Sequence, residues 1–377
     1  MSTHPDKLLK INRRTGIDAR PAIHPYETGF GCESEPPNIQ DIDNCFREHG
    51  VDLAVQACHK ALAEWGGKPS AITHTVAVTC TNQGNPGYDV LVNRKLGLGD
   101  QEERLLLHGV GCAGGVAIMR AASNIALGAA ARGRPARILC YACELCTLTV
   151  RRELAEAQAC TDMARLGIAG ALFSDGAAAF VLCNDAGLLN RNNDGTNPQT
   201  PLFEVLEWGN VTIPDTVQEM RFLTKAGGFH AVISHQVTEY IKKAIYPLFQ
   251  QLWSSLRRDN SRQPPTGVSL GNPAEFDWAL HPGGKAIIEG AREELGLSDD
   301  HLRATKEIYK TRGNSSSASV LAVLDLLRRR GRGREQVVAT SFGPGLVCEM
   351  VLLKRCRYVD QMVDEELAAT YGHGQVV

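Results

Sequence analysis

The chain has 377 residues, enough for two domains of ordinary size or for one large duplicated unit with a substantial buried core. Apolar residues make up 43% and charged residues 22%, the balance of a globular protein, which excludes a disordered or fibrous chain. A formal net charge of -2 lacks the basic excess that nucleic acid or an anionic membrane surface normally calls for, so neither is expected as a partner.

The N-terminus, MSTHPDKLLK, is polar and charged and has no apolar core of the kind a secretory signal needs. No run of about 18 apolar residues predicts a membrane span. Twelve cysteines without a signal point to reduced thiols and a cytoplasmic protein, and they read first as small core residues.

In chain order, Lys7, Lys10 and Arg14 are spaced to share one helical face. Residues 75–79 (TVAVT) read as a buried strand, 113–132 as a helix rich in alanine and glycine and apolar on most sides, and 137–142 (RILCYA) as a second strand. Within 169–183 a tight turn at Ser174, Asp175 and Gly176 leads into a strand. Residues 184–201 collect Asn, Asp, Gly and Pro and mark a boundary between halves.

The second half repeats the theme: a long helix over 232–256 kinked at Pro247, a Pro/Gly loop over 263–273, a strand over 276–280 and a helix over 285–295. A helix over 318–330 and a hairpin of 337–341 with 346–353 complete it. Alternating strands and helices predict an α/β architecture, and two halves of similar content suggest an internal duplication. The arginines at 328, 329, 330, 332 and 334 read as a solvated helix end.

Three residues carry candidate chemistry. Cys112, in LLLHGVGCAGGVAIMR, follows an apolar strand and a glycine turn and opens the buried helix, where oriented N–H dipoles favour a thiolate. The bland alternative is a buried structural cysteine. His281 ends the strand FDWAL and opens His-Pro-Gly-Gly, either reaching a cleft or capping the next helix. Asn314, in RGNSSSASVLAVLDLL, is either an N-cap or an amide donor. Together, a thiol nucleophile, a histidine to share its proton and an amide aimed at a developing oxyanion form the minimum set for acyl transfer through a thioester.

At these residues the sequence resembles the type III polyketide synthases, the chalcone-synthase-like family, from about Lys7 to Arg355. The resemblance is carried by GVGCAGG around Cys112, LFSDGAAAFVL around Phe173, LHPGGKAIIE around His281, RGNSSSASVL around Asn314 and SFGPGLVCEMVLL near the end. The stretch THTVAVTCTNQGNPGYD and the pair Cys143-Glu144 look more like fungal members than plant ones.

The resemblance implies a thiolase-like duplicated αβαβα layered fold with a shortened N-terminal strand and helix. It places the nucleophile-bearing half at 1–185, a linker at 186–202, the half carrying His281 and Asn314 at 203–356, and a tail at 357–377. It implies Cys112, His281 and Asn314 as catalytic residues, gatekeeping phenylalanines at Phe173 and Phe229, pocket-shaping positions at Cys146, Thr149 and Ser316, and coenzyme A phosphate binding by Lys7, Lys10 and Arg14. Ser341 and Ser174 depart from family glycines, and Cys146 from a threonine.

The implied reaction is iterative decarboxylative condensation of malonyl-CoA onto an acyl-CoA starter held on Cys112, a thiolate paired with the His281 imidazolium. By the fungal resemblance the starter is a medium or long fatty acyl group, and the products are alkylpyrones, alkylresorcinols or resorcylic acids. No cofactor, resident metal or carrier protein is expected, and the family implies a homodimer. The rival readings are an initiating ketoacyl-carrier-protein synthase, a cysteine hydrolase, a non-catalytic scaffold descended from the family, and a metal module built on Cys140, Cys143 and Cys146, which lacks a clear fourth ligand.

Overall fold

The computed structural model describes residues 4–25, 33–99, 101–160, 167–189, 201–258, 271–330 and 333–357. Most of the predicted linker and the C-terminal tail lie outside these residues. Among the described residues every cysteine is a free thiol.

The first sheet contains β1 (His74–Val78), β2 (Glu103–Leu107), β3 (Arg137–Leu145) and β4 (Asp175–Cys183), in the order β2-β1-β3-β4. β1 pairs in parallel with both β2 and β3, and β4 runs antiparallel to β3. β3 is buried at every position after its first, because helices cover both faces and both alternating sets of side chains must be apolar.

The second half begins with β5 (Phe203–Thr212) and a separate antiparallel hairpin, β6 (Met220–Lys225) with β7 (Gly228–Ile233). Its sheet is completed by β8 (Asp277–Leu280), β9 (Gln336–Gly343) and β10 (Val347–Arg355), in the order β5-β10-β9-β8. β8 and β9 are parallel while β9 and β10 are antiparallel, which repeats the β1, β3, β4 pattern of the first half.

The duplication extends to the central helices. The turn Gly111–Ala113 leads into the helix Gly114–Ala131, and the turn Ser316–Ala318 leads into the helix Ser319–Arg329. Side chains from both helices and both sheets share one hydrophobic cluster, including Val78, Val116, Ala279, Val320 and Val351. Among the described residues, 111–131 alone is long and apolar enough to match a membrane span, but its first half lies in this core. The two helix starts touch so closely that a Cβ on Gly115 would stand 2.4 Å from Ser317 O and 2.6 Å from Val320 Cγ1. This contact brings the Cys112 turn and the Asn314 turn to one place although 202 positions separate them in the chain numbering (314 − 112).

Several expectations are corrected. The long helix starts at Val237 rather than 232 and runs to Arg258 through Pro247, because the apolar residues up to Ile233 belong to β7. The arginine cluster is not a solvated end among its described members. Arg328 is buried and pairs with Glu64 and Asp325, and Arg334 with Asp277 and Asp300. Cys140 and Cys143 cannot share a metal, since an odd spacing along β3 sends them to opposite faces and into different hydrophobic clusters.

Candidate active site

An open cleft of about 700 Å³, part of it solvent, lies where the two helix starts meet the hairpin β6–β7. Cys112, His281, Asn314, Phe173, Cys146, Thr149 and Ser316 all border it.

Cys112 sits in the turn after β2, where Gly111 has φ +48° and a Cβ there would stand 2.5 Å from Pro344 Cδ. Both constraints require glycine immediately before the thiol. The Ser341 hydroxyl, at a position where the family resemblance expects glycine, donates to Ala113 O at 3.1 Å and braces the same turn. Cys112 Sγ lies 3.3 Å from Ser316 Oγ, which also lies 3.5 Å from Cys80 Sγ. One hydroxyl thus serves two thiols.

Burial pushes the Cys112 thiol up to about 12, opposed by the Ser316 hydrogen bond. The same cause lowers His281 to about 3. Desolvation thus works against both charges of the expected thiolate and imidazolium, and the Ser316 hydroxyl works for the thiolate.

His281 follows β8, and its N–H bonds Thr340 O at 2.9 Å. The ring is buried, Nδ1 has no hydrogen-bond partner among the described residues, and Gly283 is close enough that a Cβ there would stand 3.2 Å from Cδ2.

Asn314 follows the helix Arg303–Arg312, and its backbone pairs with Leu172 O and Ser174 N, forming a bridge beside Phe173. Its Oδ1 accepts from Ser316 N at 2.8 Å, whereas Nδ2 makes only a 3.4 Å contact to Gly283 O. The carbonyl caps the following turn, and the NH2 keeps a proton to donate.

Beneath the cleft, the buried Glu144 carboxylate accepts from Cys80 N, Thr81 N, Thr81 Oγ1 and Ser317 Oγ. Burial raises its pKa while these donors lower it. It joins the ends of β1 and β3 to the Ser316 turn. Cys80 at the cleft and Glu144 beneath it were missed; the available signal was a thiol just past one buried strand and a carboxylate near the end of another, at the strand ends where α/β proteins bind ligands.

The gatekeeper expectation splits. Phe173 is half-buried and borders the cleft. Phe229 does not. It is 1% exposed and stacks on Phe222 at 5.0 Å between ring centroids, and Phe222 is the ring at the cleft wall. Phe229 shares the strand face of Ala231 and Ile233, which do border the cleft, but lies nearer the hairpin turn and behind Phe222.

Lys10 and Arg14 are exposed on the helix His4–Thr15, and neither borders the cleft. That helix carries Lys7 as well, whose side chain lies outside the described residues. Ile11 of the same helix packs on Ala157 and Ala171, just ahead of Phe173.

The family model for chalcone and stilbene synthases matches with its N-terminal domain over residues 31–186 and its C-terminal domain over 261–357. The chain is 54% identical to the type III polyketide synthase pspB of Penicillium soppii over 365 residues, 96% of this chain and 88% of that one. It is 35% identical to the acylalkylpyrone synthase csyB of Aspergillus oryzae over 356 residues, 93% of this chain and 86% of that one. The crystal structure of CsyB complexed with CoA-SH superposes with a TM-score of 0.85 at 33% identity, covering 94% of this chain and 92% of that one. With two family domains matched, a relative of this identity over nearly the whole length, and the duplicated fold of the solved structures, the chain belongs to the chalcone and stilbene synthase family and is a type III polyketide synthase.

Proposed function

We propose that this enzyme condenses malonyl-CoA onto a medium or long fatty acyl-CoA starter and releases an alkylpyrone, alkylresorcinol or resorcylic acid. One observation carries the reading: Cys112, His281 and Asn314, from three distant segments, border a single cleft whose wall is formed by apolar side chains such as Phe173, Phe222, Ile233 and Ile287. The printed name of the Aspergillus oryzae relative, an acylalkylpyrone synthase, supports the product class.

In the proposed cycle, the Cys112 thiol gives its proton to the neutral His281 imidazole as sulfur attacks the starter thioester, and coenzyme A leaves with a proton. Malonyl-CoA then loses carbon dioxide by cleavage of its carboxylate C–C bond. The electron pair becomes an enolate, stabilised by Asn314 Nδ2–H and the His281 ring. Phe173 makes the surroundings of the departing carboxylate apolar, which favours a neutral product. The enolate carbon attacks the Cys112 thioester, the Cys112–carbonyl bond breaks, and the lengthened chain passes to coenzyme A before reloading. Free coenzyme A thioesters suffice without a carrier protein, and the working unit is a homodimer as the family implies.

The test is mass spectrometry of the products that the purified protein forms from malonyl-CoA and a graded set of starters. Alkylated pyrones or resorcinols from starters of medium or long chain are expected. Turnover of aromatic starters alone would overturn the substrate assignment, and free acid without carbon dioxide would overturn the condensation.

A further inference from the structure

A second cluster of chemically capable side chains lies outside the cleft. Cys45 ends the helix Ile39–Cys45, and His49 stands four residues later in the turn Phe46–Gly50, so both leave one side of the same helical stretch. His24, from a bend in the segment after the first helix, lies against them. The potential ligand atoms of all three lie within 4.8 Å of one another. Cys45 Sγ is 3.4 Å from His24 Nε2, and the two imidazoles meet edge-on with centroids 4.8 Å apart.

A tetrahedral zinc with bonds of about 2.3 Å to sulfur and about 2.0–2.1 Å to nitrogen sets its ligand atoms roughly 3.4–3.7 Å apart. The sulfur–nitrogen pair already stands near that spacing, and the remaining pairs close by about an ångström of side-chain rotation. Charge points the same way. Glu48 Oε2 is 3.9 Å from His49 Nε2, and the Glu48 and Asp175 carboxylates both act on Cys45.

We propose that His24, Cys45 and His49 form a binding site for a thiophilic divalent cation of the zinc type. Binding forms a metal–sulfur bond and two metal–nitrogen bonds, and the Cys45 proton leaves to solvent. One thiolate and two imidazoles select against magnesium and calcium, which prefer oxygen, and a water can fill the fourth position.

The bound ion would tie the segment holding His24 to the helix holding Cys45. That segment supports the cleft: Arg20 Nη1 donates to Phe173 O at 3.1 Å, Asp175 N to Pro21 O at 2.8 Å, and Ile23 N to Asp175 Oδ2 at 2.8 Å. The role is structural, steadying the backbone that carries Phe173.

The experiment strips the full-length protein with a chelator and titrates it with cobalt(II) as a spectroscopic stand-in for zinc. One equivalent should bind with a sulfur-to-cobalt charge-transfer band. Cys45→Ser should abolish the band. His49→Gln, at a half-buried position that spares the core, should weaken binding by more than about 100-fold, since even outer-shell partners are worth about 10- to 100-fold. Zinc should raise the melting temperature of the wild type and not of these variants. Cys112→Ser should leave the band intact. A band that survives Cys45→Ser, a band that disappears with Cys112→Ser, or no band in the wild type would each overturn the site.

Discussion

Replacing Ser316 with alanine removes the one side-chain hydrogen bond that, among the described residues, favours the ionised nucleophile. The hydroxyl stands 3.3 Å from Cys112 Sγ. The Ser316 backbone N–H to Asn314 Oδ1 bond survives the change, and alanine at φ +50° is no more strained than serine. A hydrogen bond to a charged group contributes about 1.5–3 kcal/mol, so its loss reduces the thiolate fraction about 10- to 100-fold at a fixed pH below the thiol pKa. A more basic thiolate is also more nucleophilic, with a Brønsted slope of about 0.4–0.5, which recovers part of the loss and leaves roughly a 4- to 12-fold slower alkylation. The assay is iodoacetamide labelling of Cys112, resolved from Cys80 by peptide mass mapping, across a pH series. An alkylation rate at Cys112 unchanged by Ser316→Ala would refute the claim that this hydroxyl stabilises the thiolate.

Two further outcomes follow from the same geometry. His281 has a folded pKa depressed from 6.5 to about 3 by burial, so the folded state disfavours its protonation. Its neutral burial is therefore harmless above 6.5 and costs stability as pH falls toward 3, about 3 kcal/mol between pH 6.5 and about pH 4 at about 1.4 kcal/mol per unit. Urea denaturation at both pH values should show wild type losing that much more than His281→Gln, and equal losses would contradict it. Gly115→Ala should destabilise the fold by about 1–3 kcal/mol, because the added methyl meets the fixed Ser317 carbonyl at 2.4 Å. Condensation activity should fall with it, and an unchanged denaturation midpoint would refute the close crossing of the two helix starts.

The candidate catalytic set was legible because each member sits in a distinctive local pattern. Cys112 lies in a glycine-rich strand-to-helix turn, His281 opens His-Pro-Gly-Gly, and Asn314 precedes an amphipathic helix. Phe222 and Phe229 were not separable in the same way. Which ring reaches a cleft depends on how far along a hairpin each stands and on what packs behind it, and neither quantity has a local signature. The hairpin β6–β7 has no counterpart among the predicted elements, and the predicted helix over 232–256 takes in its last two residues, since a short apolar run ending at Ile233 carries no period that distinguishes strand from helix. Arg328 looked solvated because its partner Glu64 is 264 positions away.

By itself, then, the sequence determined the buried strands, the turns that carry the reactive groups and the repetition of one theme in two halves, because hydrophobic period, glycine and capping chemistry act over a few residues. Only the tertiary structure decided that Ser316 lies between two thiols, that burial works against charge on both Cys112 and His281, and that His24 meets Cys45 and His49. These are consequences of desolvation and of contacts between distant segments, which come into being only when the two helix starts and the two sheets have closed on one another.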